Sequence, residues 1–121
     1  MMKHTILILF LFLSLLCHGQ SYKFFTTDRE LSSSLINKIY QDRNGMIWIA
    51  TEDGLNRYDG AKFITYKHDP ENEYSLCHNY VRVLYEDSKG RLFVGTYNGI
   101  QLYDPETDSF SARAQWKMED F

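Results

Sequence analysis

Hydrophobic and polar positions along the chain follow three different rhythms. Thr5–Leu16 (TILILFLFLSLL) is an unbroken apolar run behind Lys3. Twelve helical residues rise only about 18 Å, short of a ~30 Å hydrocarbon core. The run therefore reads as the apolar stretch of a secretory signal peptide, with cleavage after Gly19. Cys17 could instead carry a lipid, but that processing needs a small residue before it, and Leu16 stands there. From Leu31 onward, short apolar or alternating runs of four to six residues are separated by Asp, Asn and Gly. That is a strand-and-turn pattern.

The pattern repeats. Leu31–Asp59 (LSSSLINKIYQDRNGMIWIATEDGLNRYD) aligns without a gap on Leu76–Asp104 (LCHNYVRVLYEDSKGRLFVGTYNGIQLYD) at an offset of 45 residues. Eight of the 29 positions are identical: Leu31/Leu76, Tyr40/Tyr85, Asp42/Asp87, Gly45/Gly90, Thr51/Thr96, Gly54/Gly99, Tyr58/Tyr103 and Asp59/Asp104. They fall on turn and core positions, so one structural unit is present twice.

Each unit predicts four strands. The first covers 36–40 and 81–85, the second 46–51 and 91–96, the third 55–58 and 100–103, and the fourth 63–66 and 110–113. Asp42–Gly45 and Asp87–Gly90 predict the first turn. Asp53-Gly54 and Asn98-Gly99 predict two-residue hairpins of type I′. In the second strand, Ile47-Trp48-Ile49-Ala50 and Leu92-Phe93-Val94-Gly95 are apolar on both alternating faces, so each sheet needs a neighbour on either side. Small Ala50 and Gly95 suit close packing near an axis. Four-stranded units of this length packed face to face describe an all-β chain of propeller blades.

Phe24-Phe25-Thr26 matches Phe63-Ile64-Thr65 and predicts a lone outer strand that completes a missing last blade. The resulting division is 1–19 signal peptide, 20–30 outer strand, 31–66 blade, 67–75 loop, 76–113 blade and 114–121 truncated start of a further blade.

The Asp-x-x-Gly turn, aromatic-x-x-Thr strand, Asp/Asn-Gly turn and Leu/Ile-x-x-Tyr-Asp strand resemble the two-component regulator propeller repeat. The copies are Asp42–Asp59 and Asp87–Asp104, the second with Phe93 in place of the usual tryptophan. The resemblance implies the amino-terminal part of a hybrid two-component sensor. The parent would be a periplasmic propeller responding to glycan breakdown products, followed by an inner-membrane span and a histidine kinase. It implies further blades and an oligosaccharide as partners, and no catalysis in this portion.

Composition adds limits. Lys+Arg 13 against Asp+Glu 16 leaves a net charge of −3, which disfavours nucleic acid as a partner. Cys77 has no second cysteine in the exported part, and reads as a small apolar side chain. Asp42, Asp53, Asp59, Asp87 and Asp104 are read as turn formers, because a catalytic pair would not be copied from unit to unit. The Asp42 loop also lacks the further acids of a calcium site. His68-Asp69-Pro70 and Cys77-His78 lack zinc spacing. Pro70 would break the helix that a phosphoacceptor His68 requires. Trp48 and Phe93 are read as core rather than as sugar-stacking platforms. No catalytic, cofactor, metal or ligand residue is assigned. A sialidase-like propeller enzyme and a free-standing self-assembling β-protein are the other classes weighed.

Overall fold

A computed structural model describes residues 21–26 and 30–112. The expected signal peptide, its cleavage point and segment 114–121 lie outside them. Eight strands form two four-stranded antiparallel meanders. The first comprises β1 (Ile36–Gln41), β2 (Ile47–Thr51), β3 (Gly54–Tyr58) and β4 (Phe63–Tyr66), in that order. The second comprises β5 (Val81–Glu86), β6 (Leu92–Thr96), β7 (Gly99–Asp104) and β8 (Ser109–Phe110).

The sheets stack front to back. On the front of the first, Trp48 pairs with Arg57, Ala50 with Leu55, and Leu55 with Tyr66 across the ladders. This face meets the back of the second sheet, where Leu84, Leu92, Val94, Tyr103 and Phe110 close one core. Trp48 is 1% exposed and Val94 is fully buried. The inner strands β1 and β5 lie side by side, joined by Asn37 Nδ2 donating to the Val81 carbonyl at 2.8 Å. The residues of the apolar second strands are buried or half-buried, and one face of each packs against the other sheet.

Each first turn is built around an aspartate. Asp42 Oδ1 accepts the Asn44 and Met46 N–H groups at 2.9 and 3.0 Å, and Asp87 Oδ1 accepts those of Lys89 and Arg91 at 3.0 and 2.9 Å. Gly45 and Gly90 close these turns at φ 85° and 80°, where a side chain would be strained. Asp59 and Asp104 likewise accept turn N–H groups, from Ala61 and Lys62 and from Glu106.

A buried amide then locks the segment before each inner strand onto the third strand. Asn56 Oδ1 accepts Ser32 N–H at 3.2 Å, and Gln101 Oε1 accepts Cys77 N–H at 2.8 Å. Ser32 Oγ lies 3.1 Å from Thr51 Oγ1, and Cys77 Sγ lies 3.2 Å from Thr96 Oγ1. Half-buried Cys77 therefore stands where the first unit has a serine, with its sulfur against a hydroxyl rather than in a purely apolar niche.

Two expectations need correction. The second hairpins are not type I′, which requires positive φ at both central residues. Gly54 and Gly99 have φ of 125° and 119°, while Asp108 is the one non-glycine residue with positive φ among those described. Pairing closes at Thr51–Gly54 and Thr96–Gly99, which leaves Glu52-Asp53 and Tyr97-Asn98 as the loops. The threonine hydroxyls set this geometry: Thr51 Oγ1 accepts Asp53 N–H and donates to the Gly54 carbonyl, as Thr96 does for Asn98 and Gly99.

The last strand ends at Phe110: Ser111 N–H still donates to the Leu102 carbonyl, but the Leu102 N–H goes to the Ser111 hydroxyl rather than to a backbone carbonyl, and residue 113 lies outside the described residues. Residues 21–26 lie in neither sheet, and the blade with which the expected outer strand would pair is not one of the two described. A strand needs a hydrogen-bonded neighbour, and neither sheet supplies one to this segment. Instead Phe25 packs on the back of the first sheet, its ring centroid 5.0 Å from Tyr58 and 4.8 Å from Phe63.

Candidate functional site at the end of the inner strands

An antiparallel meander sends its first and third turns to one end. The second turn and the connection to the next sheet go to the other. The two ends carry different chemistry. At the first-turn end, scaffold contacts dominate. Asp42 Oδ2 accepts Trp48 Nε1–H at 2.8 Å, while in the second unit Asp87 Oδ2 meets Arg91 Nε at 2.6 Å, since Phe93 has no donor to offer. Arg43 reaches across the sheets to donate to the Ser88 carbonyl at 2.9 Å, lying against Gly90. Glu86 accepts the Tyr40 hydroxyl at 3.1 Å and the Arg43 N–H at 3.2 Å.

Along the outer part of the interface, Asp108 accepts hydrogen bonds from the Tyr66 and Tyr103 hydroxyls, and Arg57 pairs with it at 3.4 Å. Burial pushes the Asp108 carboxyl up, but the Tyr66 and Tyr103 hydroxyls and the Arg57 charge outweigh it, and the net shift is downward. Burial first, then the hydrogen bond to Asp108, raises both phenols. The cluster is a latch at the rim of the interface, with Asp108 partly open to solvent and its partners bonded to it.

The opposite end differs. Tyr80, in the residues leading into β5, stacks on Tyr97 of the loop after β6 with centroids 4.1 Å apart and planes 12° apart. Tyr80 donates to Glu52 Oε1 at 3.0 Å, which bridges the two sheets. Hydrogen bonding to Tyr97, then to Glu52, pushes the Tyr80 phenol up to about 12. Arg82 places its guanidinium 5.5 Å from the Tyr97 centroid, and His78 lies 5.7 Å from the same ring. Tyr97 remains 56% exposed. Aromatic surface, a guanidinium, an imidazole and a carboxylate thus meet in the open, at the end of an inner strand. That combination suits capture of a polar ligand with an apolar face.

Trp48 and Phe93 are both buried, as core residues should be. His68 Nδ1–H donates to the Leu76 carbonyl at 2.6 Å, and His78 Nδ1 accepts Tyr80 N–H at 2.9 Å. The two histidines and Cys77 are therefore each engaged with different local partners. An open hollow of about 870 Å³ lies along the 67–75 loop, lined by His68, Asp69, Glu71, Asn72, Cys77 and Asn98 among others. Among the described residues no group of three metal-ligating side chains converges, and no helix is long and apolar enough to cross a membrane.

The sequence reading passed over Tyr80, Arg82 and Tyr97. Their counterparts 45 residues earlier are Leu35, Asn37 and Glu52. Repeat matching weights what is copied, whereas these positions are individual to one unit. The available signal was a divergent aromatic and basic set beside well-matched scaffold residues.

Comparison with known proteins agrees with this architecture. The two component regulator propeller family matches residues 30–53 and 75–98. Histidine kinase P4 of Formosa agariphila is 41% identical over 73 residues, which is 57% of this chain and 5% of that protein. The crystal structure of the extracellular domain assigned to a hybrid two component system of B. thetaiotaomicron superimposes with a TM-score of 0.67 at 34% identity, over 81% of this chain and 14% of that one. A second extracellular domain from the same organism, assigned to a one component system, gives 0.61 at 25% identity over 76% of this chain and 13% of its own. The chain spans a small part of each of these relatives. Its two sheets are β-propeller blades, and each of its repeats is matched by the two component regulator propeller family.

Proposed function

We propose that these two blades belong to the periplasmic, ligand-sensing propeller of a hybrid two-component regulator, and that they act by binding rather than by catalysis. The observation that carries this reading is the match to an extracellular domain assigned to a hybrid two component system, at 34% identity over 81% of the chain. The apolar leader Thr5–Leu16 supports export. The repeated aspartates support a non-catalytic role, since each is spent on the N–H groups of its own turn. The exposed aromatic and polar cluster around Tyr97 supports an oligosaccharide, with apolar ring faces and many hydroxyls, as the ligand class. Further blades would pack on the front of the second sheet, and the kinase would lie beyond a membrane span in the parent chain.

The reading is tested by deleting the coding region for residues 31–113 in frame and sequencing transcripts during growth on a panel of purified polysaccharides. The expected result is loss of induction of a glycan-utilisation gene set on one of them. Unchanged induction on every polysaccharide would overturn it.

A further inference from the structure

We propose that Arg82, His78 and Tyr97 form a subsite for the anionic group of an acidic saccharide, a carboxylate or a sulfate ester on a sugar ring. The inference rests on the oligosaccharide reading above and deepens it.

The backbone supplies the first argument. The β5–β6 register pairs Val81 with Thr96 and then Val83 with Gly95, so Arg82 is the extra residue of a β-bulge on an inner strand. A bulge redirects the side chain it carries. The first sheet is irregular at the matching place, between Ile36 and Lys38, where Asn37 sits. There the redirected side chain is used internally, donating to the Val81 carbonyl of the next sheet. Arg82 has no such task. Its side chain is exposed, and no carboxylate among the described residues pairs with it.

Side-chain chemistry supplies the second. The guanidinium sits over the Tyr97 ring, and Tyr97 is itself braced by the parallel Tyr80 ring. Cation–π contact holds the planar fork in place without consuming its N–H donors. A held fork binds a carboxylate or sulfate in two parallel hydrogen bonds with little ordering left to do. His78 adds a donor. Its Nδ1 accepts the Tyr80 N–H, which places the ring proton on Nε2, and Nε2 has no partner among the described residues. Glu52, the nearby acid, is engaged by the Tyr80 hydroxyl. The exposed part of Tyr97 offers apolar surface to the sugar ring that bears the charge.

The test is calorimetric titration of the 121-residue chain with tetragalacturonate, a sulfated galactan tetrasaccharide and neutral galactotetraose. Binding of one or both acidic probes in preference to the neutral one is expected, and which acid binds identifies the anionic group. Arg82→Gln should weaken that binding about tenfold or more, with partial recovery in Arg82→Lys and loss again in Tyr97→Leu. These side chains are exposed, so the β-sheet circular dichroism signal should not change. Equal affinity for neutral and acidic probes, or indifference to Arg82→Gln, would overturn the subsite and leave oligosaccharide sensing intact. Binding of none of the three probes would overturn both.

Discussion

Tyr40 and Tyr85 occupy the same place in two copies of one unit, yet they live differently. Tyr40 is half-buried and donates to Glu86 of the neighbouring sheet, whereas Tyr85 is 53% exposed. Trp48 and Phe93 are both buried but differ in their ring contacts. Trp48 is packed between Tyr66 and Tyr103, its centroid 5.9 and 4.7 Å from theirs, while Phe93 lies 6.3 Å from Tyr85 of its own sheet. Nothing in the units themselves explains the difference, since fold and turn geometry match. It comes from position: the front of the first sheet meets the second sheet, whereas no further sheet among the described residues meets the front of the second. What a residue contributes here depends on its neighbour as much as on its own unit.

Removing the covered ring should break the comparison most strongly. Trp48→Ala deletes a fully buried aromatic and its bond to Asp42, and should lower stability by about 3–5 kcal/mol in urea titration, enough to abolish cooperative unfolding in a small domain. Trp48→Phe copies the second unit and should fall between wild type and Trp48→Ala. An Asp42→Ala/Trp48→Phe double-mutant cycle would isolate the indole bond at roughly 1 kcal/mol.

The uncovered front should show itself next. Val83 and Tyr85 there, and Ile39 on the opposite outer face, are exposed apolar side chains. A front that fits a back is a head-to-tail interface, and such interfaces propagate between copies. Sedimentation velocity of the 121-residue chain should show concentration-dependent self-association, reduced in Val83→Lys/Tyr85→Glu. A dilute monomer with one sharp melting transition would contradict this.

The interface latch should set the pH limits. Asp108 has a folded-state pKa below its ordinary 3.8, so its contribution is present above that value and is lost as pH falls through the lower folded one. Tyr66 and Tyr103 are raised above 10.0, so theirs is complete below pH 10 and is lost as pH rises through their higher folded values. Melting temperature should therefore be level between about pH 4 and 10 as far as this cluster is concerned. Asp108→Asn should flatten the acid limb, and Tyr66→Phe the alkaline one. The smallest effect separates the two tyrosines: Tyr40→Phe should lower the melting temperature measurably, whereas Tyr85→Phe should leave it unchanged.

Much of this was legible before any coordinates. Doubly apolar second strands called for sheets packed face to face, and Trp48 and Val94 meet across the one such interface described. The Asp42 and Asp87 turns followed from residue type and spacing. The hairpin loops were less legible, because Asp-Gly and Asn-Gly favour type I′ in isolation, while the threonine two residues before each Asp or Asn imposes another geometry. Asp108 escaped notice because it lies in a third turn that is longer in the second unit, where Tyr103 pairs with Phe110 as Tyr58 pairs with Phe63, and only folding brings it to Tyr66. Arg82 and Tyr97 are hidden differently. Local pattern marks neither, and their meeting depends on a bulge that side-chain alternation does not announce.

The front-to-back stacking has a genetic consequence. Because one face of a unit is complementary to the other face of the same unit, a single 45-residue stretch of coding sequence holds both halves of the joint. Unequal crossing-over that duplicates the stretch inserts a new member already matched to the copies on either side, with no compensating change elsewhere. Divergence can then concentrate on the exposed end, where Leu35, Asn37 and Glu52 in one copy stand opposite Tyr80, Arg82 and Tyr97 in the other. An array built this way lengthens by copying and specialises at its tips.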